Sequence, residues 1–156
     1  MQSALILAFM DDVENSAKNK KNLAAPPLSS SRKISFKFRR YERLTKNKEF
    51  LAVFAKGYTQ ESELFTVKVL HRETREAAPP RFGLVVSHKL GDSVKRNRLK
   101  RLIREVIRLH KHRILRGCDV VIMPKGASIN KKYNEIEKNI ISLLLAAKIY
   151  STHELG

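Results

Sequence analysis

Apolar positions along the chain change period several times, and each change predicts an element. Phe50, Val53 and Phe54 recur at i, i+3 and i+4, so a helix over about 48–56 shows them on one face, with Asn47 as its cap and Gly57 as its stop. Phe65, Val67 and Val69 then alternate with Thr66, Lys68 and Leu70, the period of a half-buried strand. A second strand is expected over Arg81–Ser87, after the turn-prone Pro79 and Pro80, and Tyr58–Glu63 could add an edge strand before the first. These strands suggest a hairpin-like antiparallel sheet.

The period returns to helical after Gly91 and Asp92. Ser93 can cap a long helix to about Arg113, and Gly117 ends it. Asp119–Pro124 is a short apolar strand, and Asn130 can cap a last helix with Tyr133, Ile136, Ile140, Leu143, Leu144 and Ala147 as an amphipathic stripe. The order of helix, two or three strands, helix, strand and helix predicts an α+β layered domain over about 41–150. Residues 1–40 sustain no period: 15–22 are lysine-rich, 24–31 Pro/Ser-rich and 32–40 basic, as in a flexible basic arm, and 151–156 form a short tail.

Charge sharpens this picture. The 156 residues carry 32 Lys plus Arg against 15 Asp plus Glu, a net +17. Such an excess attracts polyanions, and nucleic acid is the obvious one, because phosphate contacts release counterions. An anionic membrane surface fits less well, since no basic helix carries a large exposed apolar face. The apolar stretch Ala4–Met10 is too short to span a bilayer and is followed by Asp11 and Asp12, unlike a signal peptide. Cys118 stands alone, so no internal disulfide forms; burial as a small hydrophobe and a reducing cytoplasm are expected.

The long helix concentrates the charge. At 100° per residue, Leu99, Leu102, Ile103, Val106 and Leu109 share one face, and Asn97, Lys100, Arg101, Arg104, Arg108 and Lys111 share the other, with Arg96 and Arg98 at its margins. Only Glu105 interrupts the basic side. Like charges at i, i+4 cost about 0.2–0.5 kcal/mol per pair in an isolated helix, and a row of phosphates would absorb the repulsion. A plain solvated face is the alternative, but arginine at several positions favours bidentate phosphate contact. A helix-turn-helix reading of DNA would need a short helix before this one, where a strand is expected instead.

The run Ser93-Val94-Lys95-Arg96-Asn97-Arg98-Leu99-Lys100-Arg101-Leu102-Ile103-Arg104-Glu105 closely resembles the signature of bacterial ribonuclease P proteins. Arg43-Leu44-Thr45-Lys46 with Glu49-Phe50 and Val53-Phe54 resembles that family's opening helix. Gly83–Ser87 with Lys89 and Gly91 resembles its strand and loop before the signature helix. The likeness covers roughly Arg43 to Leu145 and excludes the N-terminal arm. It implies a two-layer α/β sandwich on a small mixed sheet, with a left-handed crossover into the last strands.

It also implies two RNA surfaces. Lys89, Arg96, Asn97, Arg98, Lys100, Arg101 and Arg104, with Arg108 on the same face, would contact the catalytic RNA. A cleft between the first helix and the sheet would hold the 5′ leader of precursor tRNA, with Phe50 and Phe54 at the family's aromatic positions. Bases stack on aromatic rings for about 1–3 kcal/mol each with little sequence preference, which suits varied leaders. The alternative for both phenylalanines is an ordinary core role. Lys68 stands where many relatives carry an aromatic, and could meet a leader phosphate; His88 stands where a second lysine is common.

No constellation for catalysis by the protein itself is expected. The carboxylates are scattered, His110 and His112 point to different helix sides, His71, His88 and His153 lack partners by spacing, and no Gly-rich phosphate loop is present. By resemblance, the RNA supplies the active site with magnesium bound mainly to it, and the protein promotes 5′ maturation of tRNA as a ribonucleoprotein subunit. A non-catalytic RNA-binding module, such as a ribosomal or RNA-chaperone protein, has similar composition and is the competing reading.

Overall fold

The computed structural model describes residues 35–73 and 78–152. The arm up to residue 34, including Ala4–Met10, lies outside them, as do His153 and the rest of the tail. The elements are α1 (Asn47–Lys56), β1 (Tyr58–Glu61), β2 (Phe65–His71), β3 (Arg81–Leu84), α2 (Ser93–His110), β4 (Cys118–Pro124) and α3 (Tyr133–Ala146), with single 3-10 turns between some of them.

The strands form one sheet in the order β1-β2-β4-β3. β1 and β2 are an antiparallel hairpin, with Tyr58 opposite Val69 and Glu61 opposite Thr66. The expected pairing of β2 with β3 does not occur, because β4 lies between them. β4 is antiparallel to β2, with Phe65 opposite Pro124, and parallel to β3, with Arg81 opposite Asp119, so the sheet is mixed. The reason is compositional: all seven residues of β4 are buried, and a strand apolar on both sides belongs in the middle of a sheet covered on both faces. The parallel pair is joined through α2, the kind of long crossover that such pairing requires.

Most of the core lies on one face. Phe65, Val67, Val69, Phe82, Val120 and Ile122 meet Leu99, Ile103, Val106 and Ile107 of α2 and Ile136, Ile140, Leu143 and Leu144 of α3. That sheet with its two helices is the expected α+β sandwich on a mixed sheet, and α1 adds a further layer. On the opposite face α1 lies alone, with Leu44, Phe50 and Val53 against Val85, Val121 and Met123. One short helix cannot cover the whole face, and Thr66 and Lys68 of β2 stay only half-buried there.

Element ends differ from expectation by a few residues. The first strand of the parallel pair stops at Leu84 rather than Ser87, although the Val85 N–H still donates to the Ile122 carbonyl. α2 is capped one residue earlier than expected: Asp92, not Ser93, accepts from the Lys95 N–H at 2.8 Å, and the α-helix closes at His110 with Lys111–Arg113 as a 3-10 turn. α1 and α3 are capped from inside. Glu49 accepts from the Thr45 and Lys46 N–H groups, both at 3.1 Å, and Glu135 from the Lys132 N–H at 3.0 Å, so neither Asn47 nor Asn130 is the cap. A carboxylate at the third helical position reaches back to the free N–H groups and its charge favours the helix's positive end.

Packing also begins earlier than Tyr41. The Phe38 ring meets Phe82 edge-on at 6.0 Å, the Leu44 N–H donates to the Phe82 carbonyl at 2.9 Å, and Glu42 is buried against Lys111. Residues 35–44 thus form a strap along the domain rather than part of a free arm.

Candidate nucleic-acid interface

Gly91 turns the chain into α2 with φ of +118°, a conformation that side chains disfavour, and it links the Lys89 turn to the helix. The helix buries Leu99, Ile103, Val106 and Ile107, while Leu102 and Leu109 are only half-buried. Ile107 thus joins the packed stripe at the expense of Leu109, because two layers of partners, sheet and α3, draw the buried side toward Ile107.

Opposite that stripe, Asn97, Arg98, Arg101 and Arg104 are exposed, as is Lys89 just before the helix; Arg96, Lys100 and Arg108 are half-buried. Internal contacts hold some of these side chains. Arg96 Nη1 lies 2.7 Å from His88 Nδ1, so the histidine at the family's second loop-lysine position packs with the basic face. Arg98 donates to the Ile129 carbonyl at 3.3 Å, tying the face to the turn before α3. Arg108 makes two bonds to Glu105, at 2.8 and 2.6 Å, and that hydrogen-bonded pair holds the Glu105 carboxyl below its usual range. Arg101 and Arg104 have no carboxylate partner among the described residues. Burial, and then the neighbouring charge of Arg43, push the Arg104 pKa down, yet a guanidinium starts so high that it stays charged at neutral pH.

Lys111 does not belong to this face. It is 8% exposed, and its Nζ donates to both Glu42 carboxylate oxygens, at 2.6 and 2.7 Å, and to the Lys37 carbonyl. The 3-10 turn after His110 breaks the 100° progression and swings the lysine inward.

The two phenylalanines expected to stack leader bases separate. Phe50 is 7% exposed and its ring lies on Gly83, where an added Cβ would come within 2.5 Å of Cε1. Enclosed there, Phe50 is a core residue with little ring surface to offer a base. Phe54, one turn on, is half-buried at the rim of the same cluster, and Lys68 holds its Nζ 6.0 Å from the Phe54 ring centroid. Phe54 and Lys68 therefore form one strip beside α1, an aromatic surface next to a cation.

The carboxylates serve structure. Asp119, buried, accepts from Arg81 Nε at 2.8 Å and Nη2 at 2.7 Å and pairs with Arg72 at 3.0 Å, while Arg81 Nη1 reaches Glu49 at 2.5 Å. Burial opposes ionisation of Glu49, but the Lys46 and Thr45 N–H bonds and Arg81 outweigh it and lower its pKa. His110, at the edge of the packed face, lies 2.8 Å from both Tyr150 Oη and Glu137 Oε1. Among the described residues no three His, Cys, Asp or Glu side chains gather to hold a metal ion. Cys118 is fully buried and burial pushes its thiol up to about 12, which leaves it unreactive. No described helix is long and apolar enough to cross a membrane.

Sequence alone assigns Arg43 no contact role at this site, yet the structure brings it to the basic helix. It comes from the strap, which the Glu42–Lys111 pair holds on the end of α2, and its charge helps to lower the Arg104 pKa; no local pattern in the sequence encodes that arrangement.

Comparison with known proteins agrees with this geometry. Residues 38–148 match the family model described as Ribonuclease P. The chain is 38% identical over 108 residues to the ribonuclease P protein component of Bacillus cereus, covering 69% of this chain and 89% of the relative. It is 37% identical over 103 residues to that of Syntrophus aciditrophicus, covering 66% and 84%. Among solved structures it resembles the RNase P protein of Staphylococcus aureus, with a TM-score of 0.64 at 29% identity over 70% of this chain and 98% of that one. The RNase P protein of Thermotoga maritima gives 0.60 at 30% identity over 66% and 94%. The chain belongs to the ribonuclease P protein family, the protein subunits of the tRNA-processing ribonuclease.

Proposed function

We propose that this chain binds the catalytic RNA of ribonuclease P through α2 and the Lys89 turn, and the 5′ leader of precursor tRNA through Phe54 and Lys68, so promoting endonucleolytic 5′ maturation. The observation that carries the reading is the exposed cationic row Arg98, Arg101 and Arg104 on a helix whose reverse is fixed to the sheet. Such a row presents phosphate ligands at constant spacing and needs no reordering to bind, which lowers the entropic cost of association. Lys89, Arg96, Asn97 and Lys100 lie along the same surface; Arg108, tied to Glu105, contributes at its margin.

The leader would lie over Phe54 with a phosphate near Lys68, a combination tolerant of sequence. The reacting groups and the magnesium belong to the RNA partner in this reading, and the protein's share is to tighten substrate binding and support the productive RNA geometry. Its work would be in the cytoplasm, on newly made precursors.

The decisive measurement adds purified protein to a bacterial ribonuclease P RNA at low magnesium and follows precursor cleavage. Stimulation of cleavage, with tighter binding of precursor than of mature tRNA, is expected. Binding to both RNAs without stimulation would instead mark a general RNA-binding module.

A further inference from the structure

The strap brings a cation to the basic helix that the helix itself does not encode. Arg43 is exposed, yet held: its Nη2 donates to the Phe38 carbonyl at 3.1 Å and its guanidinium carbon lies 4.8 Å over the Phe38 ring. Phe38 is in turn anchored on Phe82, and the strap is pinned by the buried Glu42–Lys111 pair. Because Glu42 and the Lys37 carbonyl hold Lys111, the strap lies against the end of α2 and sets Arg43 beside the basic helix, and among the described residues no carboxylate bridges Arg43. An exposed guanidinium that is held in place beside a basic helix, with no carboxylate partner, creates a local demand for an anion. Exposed Arg39, and Phe36 at 45% exposed, continue the surface along the strap.

We propose that Arg43, on the strap beside α2, binds a backbone phosphate of the catalytic RNA, so that the RNA-binding surface runs from α2 onto the strap. The inference rests on the RNA-binding reading above. Phosphate fits the geometry because a guanidinium already held by a carbonyl and a ring still presents donors outward, pre-oriented for a bidentate contact.

The test measures affinity of the full chain for ribonuclease P RNA across a series of salt concentrations, for the parent, Arg43→Gln, Arg43→Lys and Arg101→Ala. Loss of one phosphate contact lowers the slope of log affinity on log salt by roughly 0.7–0.9. Arg43→Gln is expected to show that loss, and Arg43→Lys to keep the parental slope, because lysine retains the charge without the fork that grips Phe38. An unchanged slope in Arg43→Gln, with a reduced one in Arg101→Ala, would overturn the proposal and leave the α2 interface standing. Parental slopes in Arg43→Gln and Arg101→Ala alike would sink the RNA-binding reading itself. Equal losses in Arg43→Gln and Arg43→Lys would overturn the phosphate contact too, and assign Arg43 to holding the strap.

Discussion

At the scale of single residues, side chains of one type have different tasks according to what they touch. Arg101 is exposed and unbridged, whereas Arg108 is engaged by Glu105 before any partner arrives. Arg101→Ala should therefore lower the salt slope of RNA binding by roughly 0.7–0.9, and Arg108→Ala by clearly less. Equal slopes for the two variants would contradict the distinction. The phenylalanines split in the same manner. Phe50→Ala should destabilise the fold by about 3–5 kcal/mol in urea unfolding, because it empties the space against Gly83 and Leu44. Phe54→Leu should leave stability nearly intact but weaken precursor more than mature tRNA binding, and an equal loss for both RNAs would return Phe54 to a purely core role.

At the scale of elements, the strap and the end of α2 depend on one another through an ion pair out of reach of water. Lys111 and Glu42 are 8% and 7% exposed, so removing one partner leaves a charge buried. Lys111→Met should cost about 3–5 kcal/mol, and adding Glu42→Leu should recover much of it. Chemical denaturation of the two variants measures this; no recovery in the double variant would mean that the pair contributes more than it costs to desolvate. The same element scale explains the caps. Asn47, Ser93 and Asn130 are residues that favour helix starts, yet the carboxylates of Glu49, Asp92 and Glu135 perform the capping. Residue type marks where a start is permitted; competition among neighbouring donors and acceptors decides the exact position.

At the scale of the whole molecule, the Glu49–Arg81–Asp119 network joins α1 to both strands of the parallel pair. Because Glu49 has a lowered pKa in the folded chain, its contribution is complete above the unfolded carboxyl value near 4.5 and is lost as pH falls through the lower folded value. Glu49→Gln should thus cost on the order of 1.5 kcal/mol at neutral pH, the low end for bonds to a charged group that keeps some contact with water. Melting curves of both proteins should converge as the pH falls through the lowered folded value of Glu49. A gap that persists in acid would assign the loss to packing.

The strongly periodic parts of this protein were legible in the linear chain. Alternation in β2, the apolar run of β4 and the 3.6-residue stripe of α2 each follow from burying one or both faces of a regular element, a requirement that acts over neighbouring residues. The arginine-rich face of α2 was legible for the same reason, since a helix turns local spacing into direction. Tertiary contacts alone decided the rest: β4 lies between β2 and β3, Phe50 is enclosed while Phe54 is not, Lys111 turns inward to Glu42, and the strap so pinned sets Arg43 beside α2. Those outcomes depend on pairs far apart in sequence, whose energies are set by desolvation and packing in the assembled fold, and no window along the chain contains both partners.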